Sequence, residues 1–180
     1  MLFRGLDDTR TYVLSVRIHK VSLMAQPGSG NAGEAKVLAA LVERGFEVLV
    51  PFGEGQPYDL VVHLGRDVFL RVQCKTAWPR QGCVVFNSHS TDHGRGAQSY
   101  LGLADVFGVY FPPTGLVYLV PIGAVARFEG RLRIRPTRNN QRRRIREAVN
   151  FEIDRWDMDS LRKVVRTGGR THDEAVLSVA

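Results

Sequence analysis

Apolar residues recur at every second position through Leu60, Val62 and Leu64, and again through Val68, Leu70, Val72 and Cys74. Side chains alternate across a strand, so each even-numbered set shares one face. The pattern predicts two antiparallel strands, at about 58–64 and 67–77, with the even-numbered residues toward the core. Two all-even faces coincide only if opposed residue numbers add to an even value. A loop of Gly65-Arg66-Asp67 gives the sum 132. A two-residue loop gives 131 and turns one strand inside out. The three-residue loop sets Asp59 opposite Gln73 and leaves Asp59, Arg71, Gln73 and Lys75 together on the other face.

Elsewhere the period changes. Val37, Leu38, Leu41 and Val42 fall at i, i+1, i+4 and i+5, which predicts a helix ending near Gly45. Asn31 as N-cap with Glu34 three residues on forms a capping-box pattern. The same geometry would project Glu34 from the first turn, and the two roles are compatible. Further apolar runs predict strands at about 47–51, 82–88, 105–111 and 116–122, with a short edge strand over Arg131–Arg135. Gln141–Ile153 reads as a helix. Thr11–Met24 alternates as a strand would, and Ala25–Gly30 is a small, polar linker. The organisation expected is an extension or appended strand at 1–27, one domain at 28–165, and a tail at 166–180. Met24-Ala25-Gln26 reads as an alternative translation start. A chain of 180 residues suits one domain with a sizeable core.

Chemistry concentrates where the first hairpin ends. A carboxylate (Asp59), an amide (Gln73) and an ammonium (Lys75) clustered at one end of a sheet face can hold a divalent cation and order a water beside it. That equipment suits phosphodiester cleavage. Taken alone, the same residues would also suit the solvated face of an amphipathic hairpin.

Gly33-Glu34, the strand Glu47–Gly53, Tyr58-Asp59 and Val72-Gln73-Cys74-Lys75-Thr76 together resemble the PD-(D/E)XK nuclease superfamily, and within it the intron-associated homing-endonuclease-like branch in which Gln replaces the second acid. The likeness continues through Ala104–Tyr110 and Gly115–Pro121 to the arginine-rich segment. Tyr58 separates Pro57 from Asp59, so the literal Pro-Asp pair is missing, and Gln73 leaves the site less charged. The resemblance implies an α/β fold of restriction-endonuclease type, a mixed sheet flanked by helices. It implies a metal-dependent endonuclease hydrolysing DNA. Asp59, the Gln73 side-chain oxygen and the Cys74 backbone carbonyl would ligate Mg²⁺ (or Mn²⁺), and Glu34 would bind the metal or hold a metal-bound water. Lys75 would orient or help deprotonate the attacking water and stabilise charge on phosphorus. A double-strand cutter of this type would act as a symmetric homo-oligomer, since one site cuts one strand. A non-catalytic nucleic-acid-binding protein, or a junction-resolving or repair nuclease, would share the fold.

Net charge strengthens the nucleic-acid expectation. The formal charge is +7. Eight arginines and no acid lie within residues 131–146: Arg131, Arg133, Arg135, Arg138, Arg142, Arg143, Arg144 and Arg146. Outside them, 17 Lys and Arg face 18 Asp and Glu, so the whole surplus is this block. Guanidinium forks suit phosphate. DNA is the expected partner, with RNA left open. No amphipathic helix with an aromatic face supports a membrane. Two cysteines, Cys74 and Cys83, make no disulfide framework, and the opening residues lack the apolar core of a signal peptide, which suits a cytoplasmic setting.

Two other motifs carry less. Gly28-Ser29-Gly30-Asn31-Ala32-Gly33 is a literal G-x-G-x-x-G, but Pro27 and a polar linker separate it from any strand, and an antiparallel hairpin follows where a βαβ unit should continue. His89-Ser90-Thr91-Asp92-His93 could ligate zinc if helical. Gly94 and Gly96 follow it, so a polar loop beside Lys75 that touches DNA is the expectation for His89 and His93.

Overall fold

The computed structural model describes residues 30–53, 55–92, 96–135 and 145–168. The Thr11–Met24 strand, most of the linker and glycine run, His93, and the chain past residue 168 lie outside the described residues.

Helix α1 spans Gly30–Glu43. Its buried line is Gly33, Val37 and Leu41, one residue per turn, with Leu38 half-buried. Val42 is exposed, so the apolar stripe is narrower than its sequence spacing suggested. Asn31 lies inside α1 rather than capping it.

Ten strands follow among the described residues. They are β1 (Glu47–Leu49), β2 (Leu60–His63), β3 (Phe69–Thr76), β4 (Trp78–Arg80), β5 (Cys83–Asn87), β6 (His89–Asp92), β7 (Gly96–Ser99), β8 (Val106–Phe111), β9 (Leu116–Pro121) and β10 (Glu129–Arg133). The central sheet runs β1-β2-β3-β8-β9, and its β3–β8 pair is parallel while the others are antiparallel. The mixed sheet is the one expected. Leu60 faces Val72 and Val62 faces Leu70, the register that the alternation demanded. Leu64 N donates to Val68 O at 2.8 Å, closing a loop in which Gly65, Arg66 and Asp67 all have positive φ.

Each face of this sheet buries a separate core. On the even-numbered face of β3, Leu70 and Val72 pack with Val37 and Leu41 of α1 and with Leu161 and Val164 of α2 (Met158–Arg166). On the other face, Phe107 and Val109 pack with Val84, Phe86 and Leu132 of a three-stranded sheet ordered β10-β5-β4. Burial on both faces explains why 105–111 and 116–122 read as unbroken apolar runs. At Gly108 a side chain would lie 2.6 Å from Val37 and 3.0 Å from Val72, so glycine is what lets α1 lie close on the sheet.

Two expectations need correction. The described part of Gln141–Ile153 is not a helix but 3₁₀ turns at Ala148–Phe151 and Ile153–Arg155. Glu147 bridges to Arg133 and Glu152 to Tyr118, and both glutamates hold extended backbone. Pairing with existing strands outcompetes helical hydrogen bonds there. The helix comes later, as α2, where the Asp157 side chain caps the Ser160 amide at 2.7 Å. His89–Asp92 is likewise not a loop: it pairs with Gly96–Ser99 as a two-stranded ribbon.

Candidate active site

Asp59 stands one residue before β2. Its amide donates to Val72 O at 2.9 Å, so the regular ladder stops at Leu60–Val72. Side chains complete the pairing that the register implied. Asp59 Oδ2 accepts from Gln73 Nε2 at 2.6 Å and from the Cys74 amide at 2.7 Å. Gln73 is 8% exposed. Its Nε2 also lies 3.4 Å from the Cys74 carbonyl oxygen. The Asp59 carboxylate, the Gln73 amide and the Cys74 carbonyl therefore converge, with the amide nitrogen, rather than the expected oxygen, turned inward.

Lys75 shares that face. Its Nζ donates to the Tyr100 hydroxyl at 3.1 Å and sits 4.7 Å from the ring centroid. Burial lowers the Lys75 pKa, and the Asp59 charge works against that fall. Burial raises the pKa of Asp59, opposed by the Cys74 N–H and by Lys75. Glu34 is raised by burial and then by the Asp59 charge. The approach of α1 depends on Gly33, where a Cβ would fall 2.2 Å from Thr76 Oγ1. Glu34 is thereby carried to the end of β3 that bears Lys75.

Asp59 lines two adjoining clefts. One, of about 260 Å³, has Glu34, Val50, Pro51, Gln56 and Tyr58 in its walls. The other, of about 300 Å³, is walled by Gln56, Gln73, Ser90, Gln98, Ser99 and Tyr100. The ribbon of β6 and β7 thus forms one side of the site.

Not every polar residue of the face is available. Arg71 is committed to Asp105, with Nη2 2.8 Å from Oδ1 and Nε 3.0 Å from Oδ2, and its Nη1 donates to Gly102 O. Asp105 is 2% exposed. Burial pushes the Cys74 thiol far up, which disfavours the reactive thiolate. His89 Nδ1 lies 2.8 Å from Phe128 O, at the start of the ribbon. Among the described residues, no three His, Cys, Asp or Glu side chains group as a metal cluster, so a cation here needs the amide and carbonyl oxygens.

The described arginines of the basic block sit in the second sheet and just beyond it. Arg131 pairs with Glu129 at 2.5 Å, and the same carboxylate oxygen takes Arg80. Arg133 Nη1 donates to Gln81 O at 3.2 Å, and its amide donates to Arg146 O at 2.7 Å. Arg135 and Arg146 are exposed. Arg138, Arg142, Arg143 and Arg144 lie outside the described residues.

Tyr100 and Asp105 were not singled out by the sequence. Asp105 alone among the acids opens a fully apolar strand, which was a usable signal. Tyr100 carried none, because it belongs to a short polar stretch without period.

With this geometry in place, comparison with known proteins is decisive. The model of the PD-(D/E)XK endonuclease family matches residues 24–154. The chain belongs to that family. Glu34, Asp59, Gln73 and Lys75 all fall inside the matched span of this PD-(D/E)XK endonuclease. A solved structure, that of the bacterial homing endonuclease I-Ssp6803I, superposes with a TM-score of 0.54 at 21% identity, covering 80% of this chain and 99% of that one. At that identity the likeness speaks for the fold. No curated protein matches the chain.

Proposed function

We propose that this chain is a Mg²⁺- or Mn²⁺-dependent endodeoxyribonuclease, site-specific in the manner of a homing endonuclease and active as a homo-oligomer. The observation that carries the reading is the convergence of Asp59 and Gln73 at two adjoining clefts, with Glu34 in the wall of one and Lys75 held by Tyr100 beside the other. The donor set fits a hard divalent cation: two carboxylates within each other's field, an amide and a backbone carbonyl, all able to offer oxygen. Asp59, Gln73 and the Cys74 carbonyl would hold the ion, with Glu34 as a further ligand or a partner for bound water. Gln73 would present Oε1 after a half-turn of its terminal amide. When bound, such an ion neutralises phosphate charge and makes nearby water more acidic.

The chain's own groups then have distinct tasks. Lys75, half-buried and held by Tyr100, orients the attacking water and offsets charge that grows on the phosphate oxygens. Glu34 and Asp59 hold water in line. The arginine block, with Arg131, Arg133, Arg135, Arg138, Arg142, Arg143, Arg144 and Arg146, gives the DNA backbone a sequence-independent footing. His89, at the start of the ribbon, would meet the same duplex, and His93 is proposed to do so with it. The homing character leans on the likeness to I-Ssp6803I, a bacterial homing endonuclease. Cutting both strands calls for two copies of the site, hence the oligomer.

One observation favours a second reading, a non-catalytic nucleic-acid-binding protein on this fold. Gln73 Nε2 closes the site internally by donating to Asp59. Two assays decide between them. Incubation with pooled duplex DNA and Mg²⁺ or Mn²⁺ should give discrete products that EDTA abolishes. Calorimetric titration with Mn²⁺ should show a site that Asp59→Ala removes. DNA binding with neither cleavage nor a Mn²⁺ site would leave the second reading standing.

A further inference from the structure

The Tyr100 hydroxyl has more capacity than the fold uses. A phenol offers one O–H donor and accepts through its lone pairs. Lys75 Nζ can only donate, so at 3.1 Å it occupies a lone pair and leaves the Tyr100 proton unspent. Among the described residues nothing accepts that proton. The side chain is also held in place. Tyr100 is 7% exposed, and its ring meets Phe107 edge-on at 5.6 Å. Its carbonyl accepts from Leu103 N at 2.9 Å and Ala104 N at 3.0 Å. Burial and the Asp59 charge both raise its pKa, so the hydroxyl stays protonated. It lines the 300 Å³ cleft shared with Asp59 and Gln73.

We propose that Tyr100 is a further catalytic residue, whose O–H donates to a non-bridging oxygen of the phosphate being cut while its lone pair holds Lys75. The inference rests on the nuclease reading above. No bond to Tyr100 forms or breaks. Water oxygen bonds to phosphorus and gives up a proton to solvent, the leaving oxygen departs with the bonding pair and takes a proton from solvent, and Tyr100 keeps its own throughout. Its contribution is a donor fixed in advance where negative charge grows. Tyr100 directly follows β7, so a duplex gripped by the ribbon is registered against Lys75 and the cleft in the same stroke.

Tyr100→Phe keeps the ring, and with it the contact to Phe107, while removing the hydroxyl. On a duplex carrying the mapped cleavage site, kcat should fall about 10²- to 10³-fold, the usual cost of one such donor. KM, melting temperature and Mn²⁺ affinity by calorimetry should stay at wild-type values. Replacing one non-bridging oxygen of the target phosphate by sulfur should slow wild type more than it slows Tyr100→Phe, because the lost contact is shared. Wild-type kcat in the variant overturns the inference and leaves the nuclease reading intact. A kcat loss matched by a lower melting temperature or weaker Mn²⁺ binding also overturns it, since Tyr100 would then be packing. Failure of wild type to cut any duplex removes both.

Discussion

Gln73 Nε2 lies 2.6 Å from Asp59 Oδ2 and 3.4 Å from the Cys74 carbonyl oxygen. An amide N–H therefore lies between these two oxygens. A second carboxylate there would face Asp59 directly, with Lys75 as the charge that offsets the pair.

Gln73→Glu should separate these effects. In EDTA the variant should melt below wild type, because a carboxylate at buried position 73 would be desolvated and repelled by Asp59. In Mn²⁺ it should bind the ion about tenfold more tightly, roughly 1.4 kcal/mol. Weaker Mn²⁺ binding would mean that the amide N–H, not added charge, matters to the site.

Arg71 and Asp105 form the polar clasp beneath the site. Asp105→Ala should cost about 1–3 kcal/mol in urea unfolding, since the Arg71 amide and its partly exposed guanidinium both lose their acceptor. A loss below about 1 kcal/mol would show that Arg71 simply turns to solvent.

How much of this was legible in the sequence depended on burial. The β2–β3 register followed from Leu60, Val62, Leu70 and Val72, because one buried face makes a one-residue slip costly. That register also brought Asp59, Gln73 and Lys75 together. The β6–β7 ribbon was illegible for the opposite reason: Ser90, Thr91 and Gln98 give no apolar period. The three-residue strand β4, with an exposed proline, was too short to read. In the 145–153 stretch, Ile145, Val149 and Ile153 mimic helical spacing, but bridges at Glu147 and Glu152 decide the backbone, and these depend on contacts distant in sequence. The α2 signal was present in Asp157 followed by Leu161, Val164 and Val165, a cap and a helical stripe.

Glu129 holds Arg80 and Arg131 through a single oxygen and would compete with phosphate for both. Glu129→Gln should tighten binding to any duplex several-fold. The salt dependence should steepen by up to about 0.9 for each arginine newly placed on phosphate, measured by fluorescence anisotropy. An unchanged slope would move the DNA footprint away from this sheet.

Asp157 caps α2, and its bond from the Ser160 amide lowers its pKa. A depressed carboxylate pKa contributes stability that is present above the unfolded value and lost as pH falls through the folded one. Asp157→Ala should therefore cost about 1 kcal/mol near neutral pH, with the gap to wild type narrowing below about pH 4. A gap constant with pH would show that the charge of Asp157 plays no part in the cap.

Asp59 and Lys75 are assigned the cutting of phosphodiester bonds at this cleft, and everything proposed for the site depends on them. Neither residue belongs to the cores, so Asp59→Ala and Lys75→Ala should fold as wild type does. The measurement is single-turnover cleavage of a duplex in Mg²⁺, with circular dichroism as the check on folding. Wild type should cut, and each folded variant should lose at least about 10³-fold in rate, several kcal/mol of transition-state stabilisation. Wild-type rates in either folded variant would contradict the assignment.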